Sequence, residues 1–310
     1  MQPTDRGYAM NGEKKKFKIG YFADGPWGHN AFKLLVADPD IDIRFICPRH
    51  KTNDDTLKGF CEKFNIEYVE SQNINSKEFI SYVEKFSCDL FVSMSFEQIF
   101  KKEIIELPRL TTINCHAGKL PFYRGRNILN WALINDEKEF GITVHYVDEG
   151  IDTGDIILQK TYLITDEDTY ESLLHIAYTE CAGLLYQSVR NLIDGTALRK
   201  KQELIHPIGF YCGQRIEGDE LLNWRQTSRE IFNFVRAICV PGPVARSYID
   251  GREIKINKVN MVSDAPQYRG IPGQVLAKQN GNLIVKTLDS FVEIVDYNAP
   301  FNIRVGHRFK

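Results

Sequence analysis

The chain of 310 residues lacks any apolar run near the roughly 20 residues that a membrane-spanning helix requires. Met1 to Lys18 is polar and lysine-rich with no apolar signal core, so a cytoplasmic protein without a membrane partner is expected. Paired cysteines are missing too. Cys47, Cys61, Cys88, Cys115, Cys181, Cys212 and Cys239 stand singly, odd in number and without Cys-x-x-Cys spacing, which argues for reduced thiols and against a zinc site. No charge of one sign dominates: 39 Lys and Arg against 41 Asp and Glu leave a net charge of -2, which gives no global electrostatic reason to bind nucleic acid. Internal repeats and low-complexity tracts are absent. The segment Asp24-Gly25-Pro26-Trp27-Gly28 after the first apolar run does not fit Gly-x-Gly-x-x-Gly, so a dinucleotide is not indicated.

What is present is the composition of a folded protein of one large or two moderate domains, with 43% hydrophobic, 12% aromatic and 26% charged residues. Residues 1–16, with Gly7, Gly12 and Lys14 to Lys16, precede any periodic pattern and read as a flexible leader. Phe17 to Phe22 reads as a buried strand and His29 to Ala37 as a helix; strands and helices then alternate through Leu110 to Cys115. That order implies an α/β, Rossmann-like fold: a mostly parallel sheet with helices on both faces, whose ligands sit outside the carboxyl ends of the strands. A catalytic domain over 17–203 is expected, ending in a long helix over Asp168 to Asp194. Pro207, Gly209, Gly213 and Gly218 mark 204–222 as a linker. Short alternating strands with turns at Asp250-Gly251 and Asn280-Gly281 make 223–310 a small, barrel-like β-rich domain.

The chemistry concentrates between Ile113 and Gln159. Asn114 and His116 lie two apart at the end of a predicted strand, so both side chains face the ligand crevice, while Cys115 between them points away and cannot pair with His116 as a nucleophile. Leu120-Pro121, Tyr123-Arg124-Gly125 and Gly150-Ile151-Asp152-Thr153-Gly154 place rigid turns around the pair. Asp148, Glu149, Asp152 and Asp155 lack the register of a hard-cation loop, since Ile151 and Gly154 interrupt it, and no metal is expected. His145, on the Thr143, His145, Val147 face of the next strand, reads as a packed histidine.

Together these turns match the pattern Asn-x-His, Leu-Pro, Arg-Gly, Gly-x-Asp-x-Gly, and the chain resembles the enzymes that use 10-formyltetrahydrofolate: methionyl-tRNA, glycinamide ribonucleotide and sugar-nucleotide N-formyltransferases. Trp224 and the β-rich tail also look like the C-terminal domain of the tRNA and sugar enzymes. The resemblance implies that Asn114, His116 and Asp152 are the catalytic residues. Moving a formyl group to an amine passes through a tetrahedral oxyanion, so the site needs donors aimed at that oxygen and an acceptor for the amine proton. Asn114 and a protonated His116 would donate; Asp152 would take the proton and orient His116.

For the folate, the resemblance implies a wall built from Phe96, Gln98, Ile99, Phe100 and Ile105, closed by Val147, Asp148 and Gly150. The acceptor is expected to be a nucleotide-linked aminosugar. Tyr123-Arg124-Gly125-Arg126-Asn127 and Trp131 look like the sugar enzymes' version: Arg124 and Arg126 offer bidentate donors for a phosphate, Asn127 hydrogen bonds, and Trp27 or Trp131 a stacking face. Enzymes acting on initiator tRNA carry a basic insertion after the second strand; here Pro48-Arg49-His50-Lys51 leads into Asn53-Asp54-Asp55 and a helix within a few residues. The tail argues against the single-domain glycinamide ribonucleotide enzymes. Alternatives that stay open are a methionyl-tRNA formyltransferase and a catalytically silent folate-binding protein. A homodimer is expected.

Overall fold

A computed structural model describes residues 15–310, so the leader expected over 1–16 lies outside the described residues except for its last two positions. The first elements in chain order are β1 (Phe17–Ala23), α1 (Gly25–Ala37), β2 (Ile41–Cys47), α2 (Thr56–Phe64), β3 (Glu67–Tyr68), α3 (Lys77–Glu84), β4 (Leu90–Met94), α4 (Lys102–Ile105) and β5 (Thr111–His116). After them come β6 (Arg124–Gly125), α5 (Ile128–Ile134), β7 (Glu139–Tyr146), β8 (Ile156–Leu163), α6 (Tyr170–Asp194), a 3-10 turn (Gln202–Leu204), β9 (Tyr211–Cys212) and α7 (Ser228–Ile238). Five strands follow: β10 (Ala245–Ile249), β11 (Arg252–Met261), β12 (Val275–Gln279), β13 (Asn282–Lys286) and β14 (Phe291–Asn298). Among the described residues no helix is long and apolar enough to cross a membrane.

The chain forms two compact units: residues up to Arg124 with Gly141–Thr161 and Ala177–Phe210, and Gly125–Phe140 with Tyr162–Ile176 and Tyr211–Lys310. In the first, the sheet runs β3-β2-β1-β4-β5-β7-β8. The pairs from β3 to β5 are parallel and β7 is antiparallel to β5, so the sheet is mostly parallel. The strand order reverses between β1 and β4, the kind of switch point at which such sheets open a ligand crevice. Helix α1 starts at Gly25, four residues earlier than the apolar spacing from His29 implies, because Pro26 falls in the first turn, where its missing N–H costs no hydrogen bond. Phe22 anchors the core: its ring lies 5.0–5.5 Å from those of Phe45, Phe91, Phe96 and Phe100.

In the second unit, β10-β11-β14-β13-β12 form one antiparallel sheet. Segment 306–310 then joins its two outer strands: Lys310 and Tyr248 exchange backbone bonds of 2.8 and 3.3 Å, while Val275 N–H donates to His307 (2.9 Å) and Phe309 N–H to Gly273 (2.9 Å). Trp224 closes over this segment, its ring tilted 30° against that of Phe309 at 5.0 Å and its indole N–H on the Ser247 hydroxyl. Helix α7 opens with a capping box between Thr227 and Glu230, the Ser/Thr-x-x-Glu device that satisfies two otherwise unpaired N–H groups.

Candidate active site

Strand β5 ends in Asn114, Cys115 and His116, and its alternation does what the sequence implies: Asn114 and His116 project to one side, while the Cys115 thiol points to the carbonyl of Cys181 on α6 at 3.6 Å. Asp152 comes from the turn after β7. That turn is tied internally by Asp148, whose carboxylate accepts from Gly150 N–H (3.1 Å) and from the Thr153 hydroxyl (2.5 Å). Gly154 packs so closely on the Tyr146 carbonyl that a Cβ would collide with it. Asp152 itself adopts φ +54°, and its carboxylate stands between two histidines: Oδ2 is 3.6 Å from His116 Nδ1 and Oδ1 is 3.4 Å from His145 Nε2. The three side chains are 12%, 10% and 3% exposed, so the cluster is almost dry.

Partner chemistry fixes the tautomers. His116 Nε2 is 2.7 Å from the Tyr123 carbonyl and His145 Nδ1 is 2.8 Å from the Tyr146 carbonyl; a carbonyl only accepts, so both nitrogens carry hydrogens. The two remaining nitrogens face the two oxygens of Asp152. His145 Nε2 also lies 3.2 Å from Asn114 Nδ2 across the β5–β7 pair, and as a lone pair it accepts one amide hydrogen, leaving the second for another acceptor. His116 Nδ1 faces Asp152 Oδ2, so a proton placed on that nitrogen would meet a carboxylate oxygen. In this arrangement both ring nitrogens of His116 are engaged, so donation to a reacting oxygen requires Nε2 to leave the Tyr123 carbonyl. Gly118 makes room for that bond, since a Cβ there would run into both His116 Nε2 and the Tyr123 carbonyl.

The residues expected around the folate divide. Phe100 and Ile105 lie in the buried core, and the Gln98 amide staples the chain by accepting from Ile74 N–H and donating to the Ser71 carbonyl, both at 3.0 Å. Phe96 and Val147 pack on the same core half-buried, and Ile99 is 58% exposed. Phe96 to Phe100 form a loop, since α4 begins only at Lys102; the helical spacing in the sequence there does not become a helix. Their backbone groups are therefore not consumed by a helical ladder. Phe96, Ile99 and Val147 are the apolar side chains of this set that keep exposed surface.

Of the residues expected at the acceptor, Trp27 sits edge-on against Tyr178 at 4.7 Å. Arg124 is drawn onto Gln202 by bonds of 2.7 and 3.2 Å. Arg126, Asn127 and Trp131 belong to the second unit and bond to one segment there: Gln214 Oε1, Arg215 N–H and the Gly213 carbonyl respectively. His145 and Gln202 escape the sequence reading. His145 reads as a packed histidine along its own strand, and the antiparallel register that sets it opposite Asn114 is not visible locally.

Residues 41–185 match the formyl transferase family and residues 216–301 the formyl transferase C-terminal domain. A methionyl-tRNA formyltransferase of Pelotomaculum thermopropionicum is 34% identical over 263 residues, covering 84% of this chain and 80% of that protein. Among solved structures, an N-formyltransferase of Helicobacter canadensis in complex with folinic acid and dTDP-3-aminofucose aligns with TM-score 0.67 at 22% identity, covering 92% of this chain and 100% of that one. The sugar 3N-formyltransferase WlaRD, solved with dTDP and 5-N-formyl-THF, gives TM-score 0.67 at 23% identity, covering 93% and 99%. At such identity the solved structures attest the fold, while the family models and the long sequence match attest descent: the chain belongs to the formyltransferase family and is a formyl-transferring enzyme.

Proposed function

We propose that the enzyme moves a formyl group from 10-formyltetrahydrofolate to the amine of a nucleotide-linked aminosugar. The folate supplies a formyl carbon activated on its N10 nitrogen. Asn114 directs its free amide hydrogen at the oxygen where negative charge develops, the kind of fixed donor whose removal costs about 10²–10³ in kcat. As the amine nitrogen bonds to the formyl carbon, Asp152, placed against His116, takes the amine proton, and that proton passes to N10 as the bond from N10 to the formyl carbon breaks and tetrahydrofolate leaves. With side-chain exposures of only 10% and 12%, His116 and Asp152 interact strongly with one another.

The acceptor reading is carried by the β2–α2 connection. Only Pro48 to Asp55 separate the two elements, and Arg49, the first cation in it, is tied to the chain though 42% exposed: Nε donates to the Ser95 carbonyl at 2.7 Å and Nη2 to the Ser95 hydroxyl at 2.8 Å. The His50 N–H is bound to Glu97 at 2.7 Å. Such a connection is short, and with Arg49 tied to Ser95 it leaves Lys51 as its one other exposed cation, little positive charge with which to grip an RNA stem. The names of the sugar enzymes that share the fold over nearly the whole chain, one with dTDP-3-aminofucose bound, agree with it. One observation favours a second reading, initiator tRNA: the methionyl-tRNA formyltransferase relatives at 34% identity.

Parallel assays separate them. With nucleotide-aminosugars, a mass gain of one formyl group and a shallow dependence on salt are expected. A tRNA reaction that neutralises several phosphates falls steeply with salt. Faster turnover of charged initiator tRNA, with a steep salt slope, would overturn the sugar reading and leave the chemistry at Asn114, His116 and Asp152 standing.

A further inference from the structure

Gln202 lies in the 3-10 turn, fifty residues beyond Asp152 in sequence, and is 4% exposed. Its amide nitrogen donates to the backbone carbonyls of Asp152 and Gly154, both at 2.8 Å. Its amide oxygen accepts from Arg124 Nε at 3.2 Å and Nη2 at 2.7 Å. A side-chain amide has two donor hydrogens and two lone pairs, so every bonding position of Gln202 is filled. The orientation is forced as well, because carbonyls only accept and a guanidinium only donates. Glutamate here would set a carboxylate against two carbonyl oxygens, and lysine would set a cation against Arg124.

Asp152 needs such a brace. Its φ of +54° lies in the left-handed region, which costs a residue with a Cβ on the order of 1 kcal/mol or more. The bonds through Asp148 tie positions 148–153 to one another, whereas Gln202 holds the backbone on both sides of Thr153 from outside the turn. The far end is anchored in turn: Arg124 N–H donates to the Phe210 carbonyl at 3.1 Å, and Gly209 lies so close that a Cβ there would sit 2.8 Å from the guanidinium carbon.

We propose that Gln202 is a positioning residue for formyl transfer: anchored on Arg124, it fixes the backbone of Asp152 and so sets where the carboxylate stands between His116 and His145. Arg124 is then the foot of a strut. The proposal rests on the reading of Asp152 as the group that takes the amine proton, and it is independent of which amine is formylated.

Imidazole titration by NMR of histidine-labelled full-length protein tests it without any acceptor. Asp152→Asn provides the reference and should move the midpoints of His116 and His145, the two rings that face that carboxylate. Gln202→Ala and Gln202→Met should move both midpoints in the same direction by at least half as much, with His29, His50 and His307 unmoved as controls on folding. In steady state, kcat should fall about a hundredfold with both KM values within a few-fold, the pattern of a misplaced group and not of a lost binding contact. Wild-type midpoints for His116 and His145 in a folded Gln202 variant, while Asp152→Asn shifts them, would overturn the proposal alone. If Asp152→Asn itself changes neither the midpoints nor turnover, the reading of Asp152 fails and the proposal with it. Should the alanine variant lose its dispersed spectrum, Gln202→Met and Arg124→Met, which removes the anchor and leaves Gln202 in place, carry the same comparison.

Discussion

Replacing His145 by leucine removes the acceptor of one Asn114 amide hydrogen while filling most of the same volume. The histidine side chain is 3% exposed and its Nε2 is 3.2 Å from Asn114 Nδ2, so water does not simply take its place. Asn114 would keep its donors but lose the bond that aims them. The ceiling on the damage is the loss of the donor itself, about 10²–10³ in kcat, and loosened aim should cost less. His145→Leu is therefore expected to lower kcat by roughly 10- to 100-fold, about 1.4–2.7 kcal/mol of barrier. Because His145 touches both Asn114 and Asp152 and acts in large part through the first, the double variant with Asn114→Ala should lose less than the product of the two single losses, which single-turnover formylation followed by mass measures directly. A His145→Leu enzyme within twofold of wild type, or losses that multiply in the double variant, would refute the reasoning.

Three further outcomes are expected. His116→Ala and Asp152→Ala should each lower turnover by orders of magnitude with unchanged circular dichroism; wild-type rates would remove them from the chemistry. In the second unit, burial opposes ionisation of Asp136, but hydrogen bonds from Arg229, Lys138 and Asn233 outweigh it and hold its carboxyl well below the usual range, and Arg229 also lowers Asp166. A lowered folded value means stability that is present above the unfolded carboxylate pKa and lost as pH falls through the folded one. Arg229→Met should therefore cost about 1–2 kcal/mol in urea unfolding at pH 7, kept modest by solvent screening, with the gap narrowing below about pH 4; a gap independent of pH would contradict this. Burial pushes the Cys212 thiol up to about 11, and it is the one cysteine of seven that is not fully buried. Native protein at pH 8 should thus label with a thiol reagent slowly and first at Cys212, and rapid labelling of Cys115 or Cys181 would mean that the packing of β5 on α6 opens.

The parts of the site that could be read along the chain are those fixed by local geometry. Asn114 and His116 share a face because a strand has a period of two, and Asp152 sits in a turn announced by Gly150 and Gly154. Partners brought together by register or by distant chain could not be read. His145 meets Asn114 only once β7 is known to run antiparallel to β5, and Gln202 reaches Asp152 across fifty residues. The bond from Arg124 to Gln202 is of the same kind, made between residues far apart in the chain. Helix α5 is weakly signalled in the sequence, because it has seven residues and follows Asn127 at φ +55°, with no side-chain cap to announce it. The apolar spacing at Phe96, Ile99 and Phe100 belongs to a loop pressed onto the core around Phe22, a case where burial imitates helical period.

Segment 306–310 has a bearing on how the protein can be handled. Open sheets present unpaired N–H and C=O groups on both outer strands, which recruit strands of neighbouring molecules. Here a single stretch of five residues occupies both, at Tyr248 on one side and at Gly273 and Val275 on the other. Removing it would bare two adhesive edges at once and strip Phe309 from Trp224, so a shortened chain would be lost by clumping before any change in formyl transfer could be noticed.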